Sequence, residues 1–266
     1  MRTLKLTIAY DGTRYAGWQI QRSRHQHALV GSAVRGKPTI QETVERTLSR
    51  ILQEPVTVVG SGRTDAGVHA EAQVAHARVR CNVASNQLLR SVNQLLPPDI
   101  AITRIVEAPA VFHARFSATK KRYRYRIFTG LVVPPFVRPY VHHYTAPLDA
   151  RLMRQEAMRL RGRHDFRAFA RMKESDSSHA TPDTIRTISA IQLTTRGKEL
   201  RMDIEGNGFL HTMVRSIAGT LIDIGRGRLP RGTMARMLRH KHRALAGTTA
   251  PASGLTLLSV TYPRLK

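Results

Sequence analysis

The segment GSGRTDAGVHA at residues 60–70 holds the side chains whose types and spacing best suit chemistry. Its glycines allow the backbone to turn sharply after an apolar strand, which leaves Arg63 and Asp65 projecting from the turn. A carboxylate fixed beside an arginine on a short loop is suited to act as a nucleophile or a base. The alternative is a tight turn in which Asp65 hydrogen-bonds to its own backbone. Taken alone, the segment favours the plain turn, because Gly-Asp turns are common.

Two further segments could contribute functional side chains. The sequence EGNGFLHTMVR at 205–215 joins a strand to a helix and places Arg215 off the apolar stripe of that helix. Such an arginine could bind a carboxylate or phosphate with its planar fork of donors, although a solvated surface arginine is the commoner case. In residues 112–128 arginines alternate with tyrosines, which fits either an RNA-facing strand or a strand whose tyrosines lie in the core.

The sequence lacks the motifs that are typical of several other kinds of chemistry. The twelve histidines show no HExxH or Cys/His finger spacing, so we expect no metal site. The sequence contains no GxSxG elbow, which would indicate acyl transfer, and no GxxxxGK[ST] loop, which would indicate nucleotide binding. No apolar stretch is long enough to cross a bilayer, and the alternating start MRTLKLTIAYDG predicts a strand rather than an export signal. With Cys81 as the sole cysteine, we expect a cytoplasmic protein that does not bind membranes.

The charge of the chain points to a polyanionic partner. Lys and Arg total 43 against 18 Asp and Glu, a formal net charge of +25. An excess of this size creates a positive field that attracts nucleic acid and makes binding depend on salt. Charge alone does not identify the nucleic acid or any reaction on it.

Helix and strand signals interleave along the chain and predict an α+β fold. The chain should form two lobes of similar size, 1–108 and 109–266, that share a mostly antiparallel central sheet with helices packed on it. Strands are predicted around Leu4–Ile8, at Val56–Val59, 73–79, 100–106 and 116–128, around Leu193, at Leu200–Ile204, and at 255–260. Helices are predicted from a capping box of Thr39 and Glu42 up to Pro55, and at 85–96, 149–161 and Phe209–Gly225.

Taken together, these segments resemble one family, tRNA pseudouridine synthase A. The resemblance follows family order over nearly the whole chain, which makes it far more specific than any single motif. It is carried by YDGTRYAGWQ at 10–19, IQETVE at 40–45, GSGRTDAGVHA at 60–70, FHARFSATKKRYRYRI at 112–127, GNGFLHTMVRSIAGTL at 206–221 and APASGLTL at 250–257.

The resemblance implies an activity and a set of site residues. It implies isomerisation of uridine to pseudouridine in the tRNA anticodon stem-loop, at positions 38, 39 and 40, by a homodimer with RNA in a cleft between the lobes. Asp65 matches the catalytic aspartate and Arg215 the arginine that pairs with it. Tyr123 matches the tyrosine that stacks on the target base and is proposed to move its C5 proton. Arg63 matches the arginine thought to assist base flipping, and Leu255 an apolar wall of the uracil pocket.

The reaction only rearranges atoms, so we expect no redox cofactor, nucleotide or metal. Two segments depart from the family pattern: a long basic linker between Trp18 and Ile40, and a polar loop at 173–184. They leave open which features of the tRNA are contacted. Three alternatives also stay open: a non-catalytic RNA-binding protein, an N-glycosidase that uses Asp65 to remove the base, and a pseudouridine synthase acting on other RNA.

Overall fold

The computed structural model describes residues 1–19, 36–171 and 183–263. Most of the predicted linker at 20–39 and of the predicted loop at 173–184 therefore lies outside the described residues. Contacts divide the chain into two units: unit 1 comprises Met1–Ala118 and Tyr262–Lys266, and unit 2 comprises Thr119–Thr261. The predicted domain limits, 1–108 and 109–266, stay a prediction.

The described residues of unit 1 form four strands and two helices. They are β1 (Arg2–Tyr10), α1 (Ile40–Leu52), β2 (Val58–Gly60), β3 (His69–Val79), α2 (Ser85–Leu95) and β4 (Ile100–Ala108). Strand β1 lies between β4 and β3, β2 pairs with β3, and every one of these pairings is antiparallel. Alternate residues of β1, among them Leu4, Leu6 and Ile8, are fully buried, which fits the predicted period of two.

Helix α1 begins where the sequence predicts. The hydroxyl oxygen of Thr39 accepts a hydrogen bond from the backbone N–H of Glu42 at 3.2 Å, which caps the first turn. The helix ends at Leu52, and Gln53 follows in the left-handed region with φ 52°. Along α1, Ile40, Val44 and Leu48 form the buried stripe.

Unit 2 is built around a longer antiparallel sheet. Its elements are β5 (Lys120–Phe128), β6 (His142–His143), α3 (Ala150–Met158), β7 (Gly162–Asp165), β8 (Ile185–Arg196), β9 (Glu199–Gly206), α4 (Met213–Gly225), α5 (Thr233–His240) and β10 (Leu255–Thr261). The strand order is β10-β5-β9-β8-β7 with antiparallel pairings, and the short β6 pairs with β5 in parallel. Helix α4 contacts β5, and α3 contacts both α4 and β8. The predicted α+β class with a mostly antiparallel sheet is confirmed.

Several element boundaries differ from the prediction, among them the starts of β5 and α4. The strand predicted over 116–128 begins only at Lys120. The helix predicted from Phe209 begins at Met213, because Thr212 takes a φ of 60° that no α-helix can contain. Of the thirteen residues of α4, all of which the structure describes, every one except Arg215 is buried.

The arginine face of β5 forms an ion-pair ladder with β9. Arg122 and Arg124 both bond to the carboxylate of Asp203, at 2.8 Å and 2.7 Å. Arg126 bonds to Glu199 at 2.7 Å, and Arg201 bonds to the same carboxylate at 2.6 Å. The three arginines that the sequence suggested for phosphate binding are therefore paired with carboxylates of the neighbouring strand.

We predict that this ladder makes unit 2 sensitive to acid. Burial opposes ionisation of Glu199, but hydrogen bonds from Arg126 and Arg201 outweigh it and lower the pKa from 4.5 to about 2. A carboxyl with a depressed folded pKa stabilises fully above pH 4.5, and this contribution is lost as the pH falls toward 2. In urea titrations from pH 7 to pH 2, Glu199→Gln should therefore reduce the acid-dependent loss of unfolding free energy without removing it, since Asp203 is also paired. Parallel profiles for wild type and variant would contradict this assignment.

Candidate active-site loop and its supporting residues

The segment that carries Asp65 is the connection between β2 and β3 of unit 1. Ser61 follows β2 and its N–H donates to the carbonyl of Val74 on β3 at 2.7 Å. The carbonyl of Asp65 accepts a hydrogen bond from the N–H of Val68 at 3.1 Å, and Gly67 between them has φ 78°. The loop is thus a tight turn closed by a backbone hydrogen bond, and such a turn fixes the main chain that carries Asp65.

The side chains of the loop differ in exposure. Thr64 is buried, Asp65 is half-buried, and Arg63 is exposed. The two residues predicted for chemistry in unit 1 therefore remain accessible, while the residue between them points into the protein and anchors the loop.

Buried polar groups support the loop from the side of β3. Gln73 and Ser61 are both fully buried, and the Ser61 hydroxyl donates to the amide oxygen of Gln73 at 2.7 Å. The amide nitrogen of Gln73 donates to the carbonyl of Gly62 at 3.0 Å. Both the oxygen and the nitrogen of the buried Gln73 amide are thus hydrogen-bonded. The amide fixes the main chain just before Arg63, because breaking either bond would leave a buried polar group unsatisfied.

A second set of contacts comes from β1 and the residues after it. The hydroxyl groups of Tyr10 and Thr64 share a hydrogen bond of 2.9 Å, and the N–H of Trp18 donates to the carbonyl of Thr64 at 3.1 Å. Burial raises the pKa of Tyr10 to about 12, so its hydroxyl stays protonated at neutral pH. Thr64 is thereby held through both its side chain and its backbone.

The backbone of residues 12–18 lies unusually close to the loop. A Cβ added at Gly12 would lie 2.0 Å from the carbonyl oxygen of Val68, and one at Gly17 would lie 2.5 Å from that of Thr64. Gly17 also has φ 94°, which disfavours any other residue. The N–H of Gly12 donates to Nδ1 of the buried His69 at 3.1 Å, at the far end of the loop. The sequence suggested none of these supports from spacing, because partners such as Tyr10 and Thr64, or Gly12 and His69, are 54 and 57 residues apart.

In unit 2, the predicted tyrosine lies on the buried face of β5. Tyr123 is 7% exposed and its ring packs edge-on against Phe209, with ring centroids 5.2 Å apart. Tyr125, two residues on, is fully buried and its hydroxyl donates to the carbonyl of Pro251 at 2.9 Å. The tyrosines of this strand thus lie in or next to the core, on the face opposite the paired arginines.

Arg215 and Leu255 are brought together by the segment before β10. Nε of Arg215 donates to the carbonyl of Ala250 at 2.8 Å, and the N–H of Ala250 donates back to the carbonyl of Arg215 at 3.1 Å. Leu255 is buried and lies opposite Tyr125 in the pairing of β10 with β5. The charge of Arg215 acts on Tyr125, whose pKa burial nevertheless raises strongly. Within unit 2, Arg215 is thus bonded to Ala250 and Leu255 lies opposite Tyr125, while Tyr123 lies opposite Leu257 of the same strand β10.

Among the described residues, no group of three or more His, Cys, Asp or Glu side chains could hold a metal ion. In the same part of the chain, no helix combines the length and the apolar character needed to cross a membrane.

Comparisons with known proteins identify the family. A family model described as tRNA pseudouridine synthase matches residues 6–117 and 157–263. Three similar relatives are each named tRNA pseudouridine synthase A. The one from Pelobacter propionicus is 42% identical over 98% of this chain and 100% of its own length. Those from Klebsiella pneumoniae and Limosilactobacillus fermentum are 41% and 40% identical over 98% of this chain, covering 90% and 96% of their own lengths.

The family model spans the Asp65 loop and the helix of Arg215, and the three relatives match nearly the whole chain, as the resemblance found in the sequence predicts. The chain belongs to the tRNA pseudouridine synthase family.

Proposed function

We propose that this protein isomerises uridine to pseudouridine in tRNA, at positions 38, 39 and 40 of the anticodon stem-loop. The observation that carries the proposal is the loop of residues 60–70, in a chain that belongs to this family. Three buried hydroxyl groups and a buried amide hold the loop in place, while Asp65 and Arg63 stay accessible. A rigid loop that presents one carboxylate is what a reaction with strict geometry requires.

The chemistry needs few groups from the protein. The N1–C1′ glycosidic bond breaks, the uracil turns, and C5 bonds to C1′; C5 then loses its proton and N1 gains one. Atoms and electrons balance without an oxidant, a reductant or an activated nucleotide. We propose that the carboxylate of Asp65 acts as the nucleophile or base of this sequence, whether at C1′, at C6 or at the C2′ proton.

The remaining predicted residues complete the proposed assignment. Arg215 would stabilise the ionised carboxylate, since a guanidinium neighbour offsets the cost of removing that charge from water. Tyr123 would stack on the uracil and move the C5 proton, and Leu255 would form an apolar wall of the pocket. The bond from Arg215 to the Ala250 carbonyl and the edge contact of Tyr123 with Phe209 support these roles, because both restrict the side chains before substrate binds.

Arg63 is proposed to assist in extruding the target base. A uridine in a stem or a stacked loop must leave the helix before a protein group can reach it, at a cost of a few kcal/mol. Arg63 is exposed and sits two residues before Asp65, on the same rigid turn. A long cationic side chain there could fill the vacated position and contact phosphate.

The same proposal covers the binding of tRNA, the location of the protein, its oligomeric state and its need for cofactors. The net charge of +25 would supply contacts to the tRNA backbone. A cytoplasmic location, a homodimeric state and independence from cofactors and metals all stay predictions.

Replacing Asp65 tests the proposal. With tRNA that carries tritium at uridine C5, the wild-type protein should release the label, and Asp65→Asn should lower release at least 1,000-fold, roughly the effect of losing a catalytic nucleophile. Binding of tRNA by the variant should change little, because the carboxylate serves chemistry. Absence of release by the wild type would leave a protein that only binds RNA, and free uracil among the products would indicate an N-glycosidase. Either outcome would overturn the proposal, as would full activity of the variant.

Arg63→Ala should slow the reaction more than it weakens binding. We expect kcat for tritium release to fall on the order of 100-fold, while the Kd for tRNA rises by only a small factor. A matched control is Arg80→Ala, at an exposed position in the same unit just after β3. A loss confined to Kd would make Arg63 a phosphate contact and would contradict its role in base flipping.

Tyr10→Phe should lower kcat only indirectly, by loosening the loop that carries Asp65. Removing the hydroxyl leaves the buried Thr64 hydroxyl without this bond, which should cost about 1–3 kcal/mol of stability and allow the loop to move. We expect kcat to fall at least tenfold at a temperature where the variant is fully folded. The control is Tyr15→Phe, which removes a 2.6 Å bond to Asp99 in the same segment and should leave kcat unchanged. Equal kcat values for the Tyr10 variant and wild type would show that the bond does not position Asp65.

A further inference from the structure

One face of the unit 1 sheet is covered by residues 112–117 rather than by a helix. The N–H of Ala114 donates to Nδ1 of the buried His76 on β3 at 3.2 Å. The hydroxyl of Tyr262 donates to the carbonyl of Ala114 at 2.7 Å, and the ring of Tyr262 packs against that of buried Phe112 at 5.1 Å. These contacts fix the main chain of the segment on the sheet.

The same segment holds a phenylalanine in an exposed position. Phe116 is 77% exposed, yet its ring stacks on His113 with centroids 4.4 Å apart and an interplanar angle of 28°. The ring of His113 is itself fixed, since its Nδ1 accepts hydrogen bonds from the N–H groups of Arg115 and Phe116, each at 3.2 Å. His113 also lies 4.8 Å from the ring of buried His76. The stacking on His113 therefore keeps the apolar ring of Phe116 exposed to solvent instead of packed in the core.

Exposed arginines lie on the same strands or in the same segment as the residues that support this ring. The guanidinium of Arg115 lies 5.7 Å from the centroid of Phe116. Arg78 and Arg104 are exposed and lie on the same face of the sheet as His76, by their pairing with Thr3 and Thr7 of β1. Within the described part of the chain, none of these three arginines forms an ion pair with a carboxylate. They contrast with the arginines of β5, whose charges are already paired.

We propose that Phe116, supported by His113 and Arg115, is a stacking site for an unpaired base of the tRNA. The proposal rests on the proposed function, because it takes tRNA as the ligand. Every nucleobase offers a flat face to an aromatic ring, and the guanidinium group of Arg115 beside the ring suits a phosphate that flanks the base. Phe116 has no group that could move a proton, so the base that it holds is bound and not altered.

The surroundings favour RNA over a protein partner. The core of a protein interface is depleted of charged residues and enriched in apolar ones. Here Arg115 lies beside the apolar ring, and Arg78 and Arg104 are exposed on the sheet face of His76. A protein partner would have to desolvate these charges, whereas a phosphate backbone would neutralise them.

The test compares two variants at one position with a neighbouring control. Phe116→Ala removes the ring, Phe116→Tyr keeps it, and Val111→Ala trims another exposed apolar side chain, 88% exposed, from the same segment. The Kd for an unmodified tRNA transcript is measured at several salt concentrations, and tritium release is measured at saturating tRNA. Thermal unfolding checks that each variant is folded, and sedimentation checks its oligomeric state.

We expect Phe116→Ala to raise the Kd by between about 5-fold and 100-fold, the effect of losing one base–aromatic stack. Phe116→Tyr and Val111→Ala should stay within about twofold of wild type, since base stacking tolerates either aromatic ring. The salt dependence of binding and the kcat at saturation should not change, because no phosphate contact or reacting group is removed.

An unchanged Kd for Phe116→Ala would overturn the proposal, and so would an equal loss with Val111→Ala. A change of oligomeric state without a change in Kd would make the ring part of a protein interface and would also overturn it. The two proposals fail in different ways: a wild-type protein that binds tRNA without releasing tritium would end the proposed reaction, while the effect of Phe116→Ala on binding would still support the stacking site.

Discussion

The backbone of residues 12–18 lies against the loop that carries Asp65 closely enough to exclude a Cβ at Gly12 and Gly17. This approach leaves no room for water between the two segments and brings Tyr10 and Trp18 within hydrogen-bonding distance of Thr64. Packing at such short range is stiff, because a small displacement costs both contacts and buried hydrogen bonds. The position of the main chain that carries Asp65 is therefore fixed by its contacts with residues 10–18.

The charges of the molecule divide into two classes with different uses. On β5 and β9 the arginines are paired with Asp203 and Glu199, so they stabilise the sheet of unit 2 and are not available to a polyanion. In unit 1, Arg63 and the arginines around Phe116 are exposed and unpaired within the described residues. A net charge of +25 thus overstates the charge that RNA can use, and the position of each arginine decides its role more than their number does.

Local signals in the sequence predicted much of the fold. The Thr39 cap and the alternation along β5 needed only neighbouring residues, and both predictions are confirmed. The start of α4 was wrong, because no pattern signals the positive φ of Thr212. The supports of the Asp65 loop could not be predicted by spacing, since Tyr10 and Thr64 are far apart in the chain and meet only through the pairing of β1 with β3. The roles of Asp65, Arg63, Tyr123, Arg215 and Leu255 came from family resemblance and stay proposals.

The central claim is that a carboxylate held by this packing modifies the anticodon stem-loop of tRNA. The most direct measurement is a map of pseudouridine across the RNA of cells that lack the gene, complemented with wild-type protein or with Asp65→Asn. The account predicts that uridines at tRNA positions 38, 39 and 40 stay unmodified without the gene, and that only the wild-type protein restores them. Normal pseudouridine at these positions in the deletion strain, or its restoration by Asp65→Asn, would contradict the account.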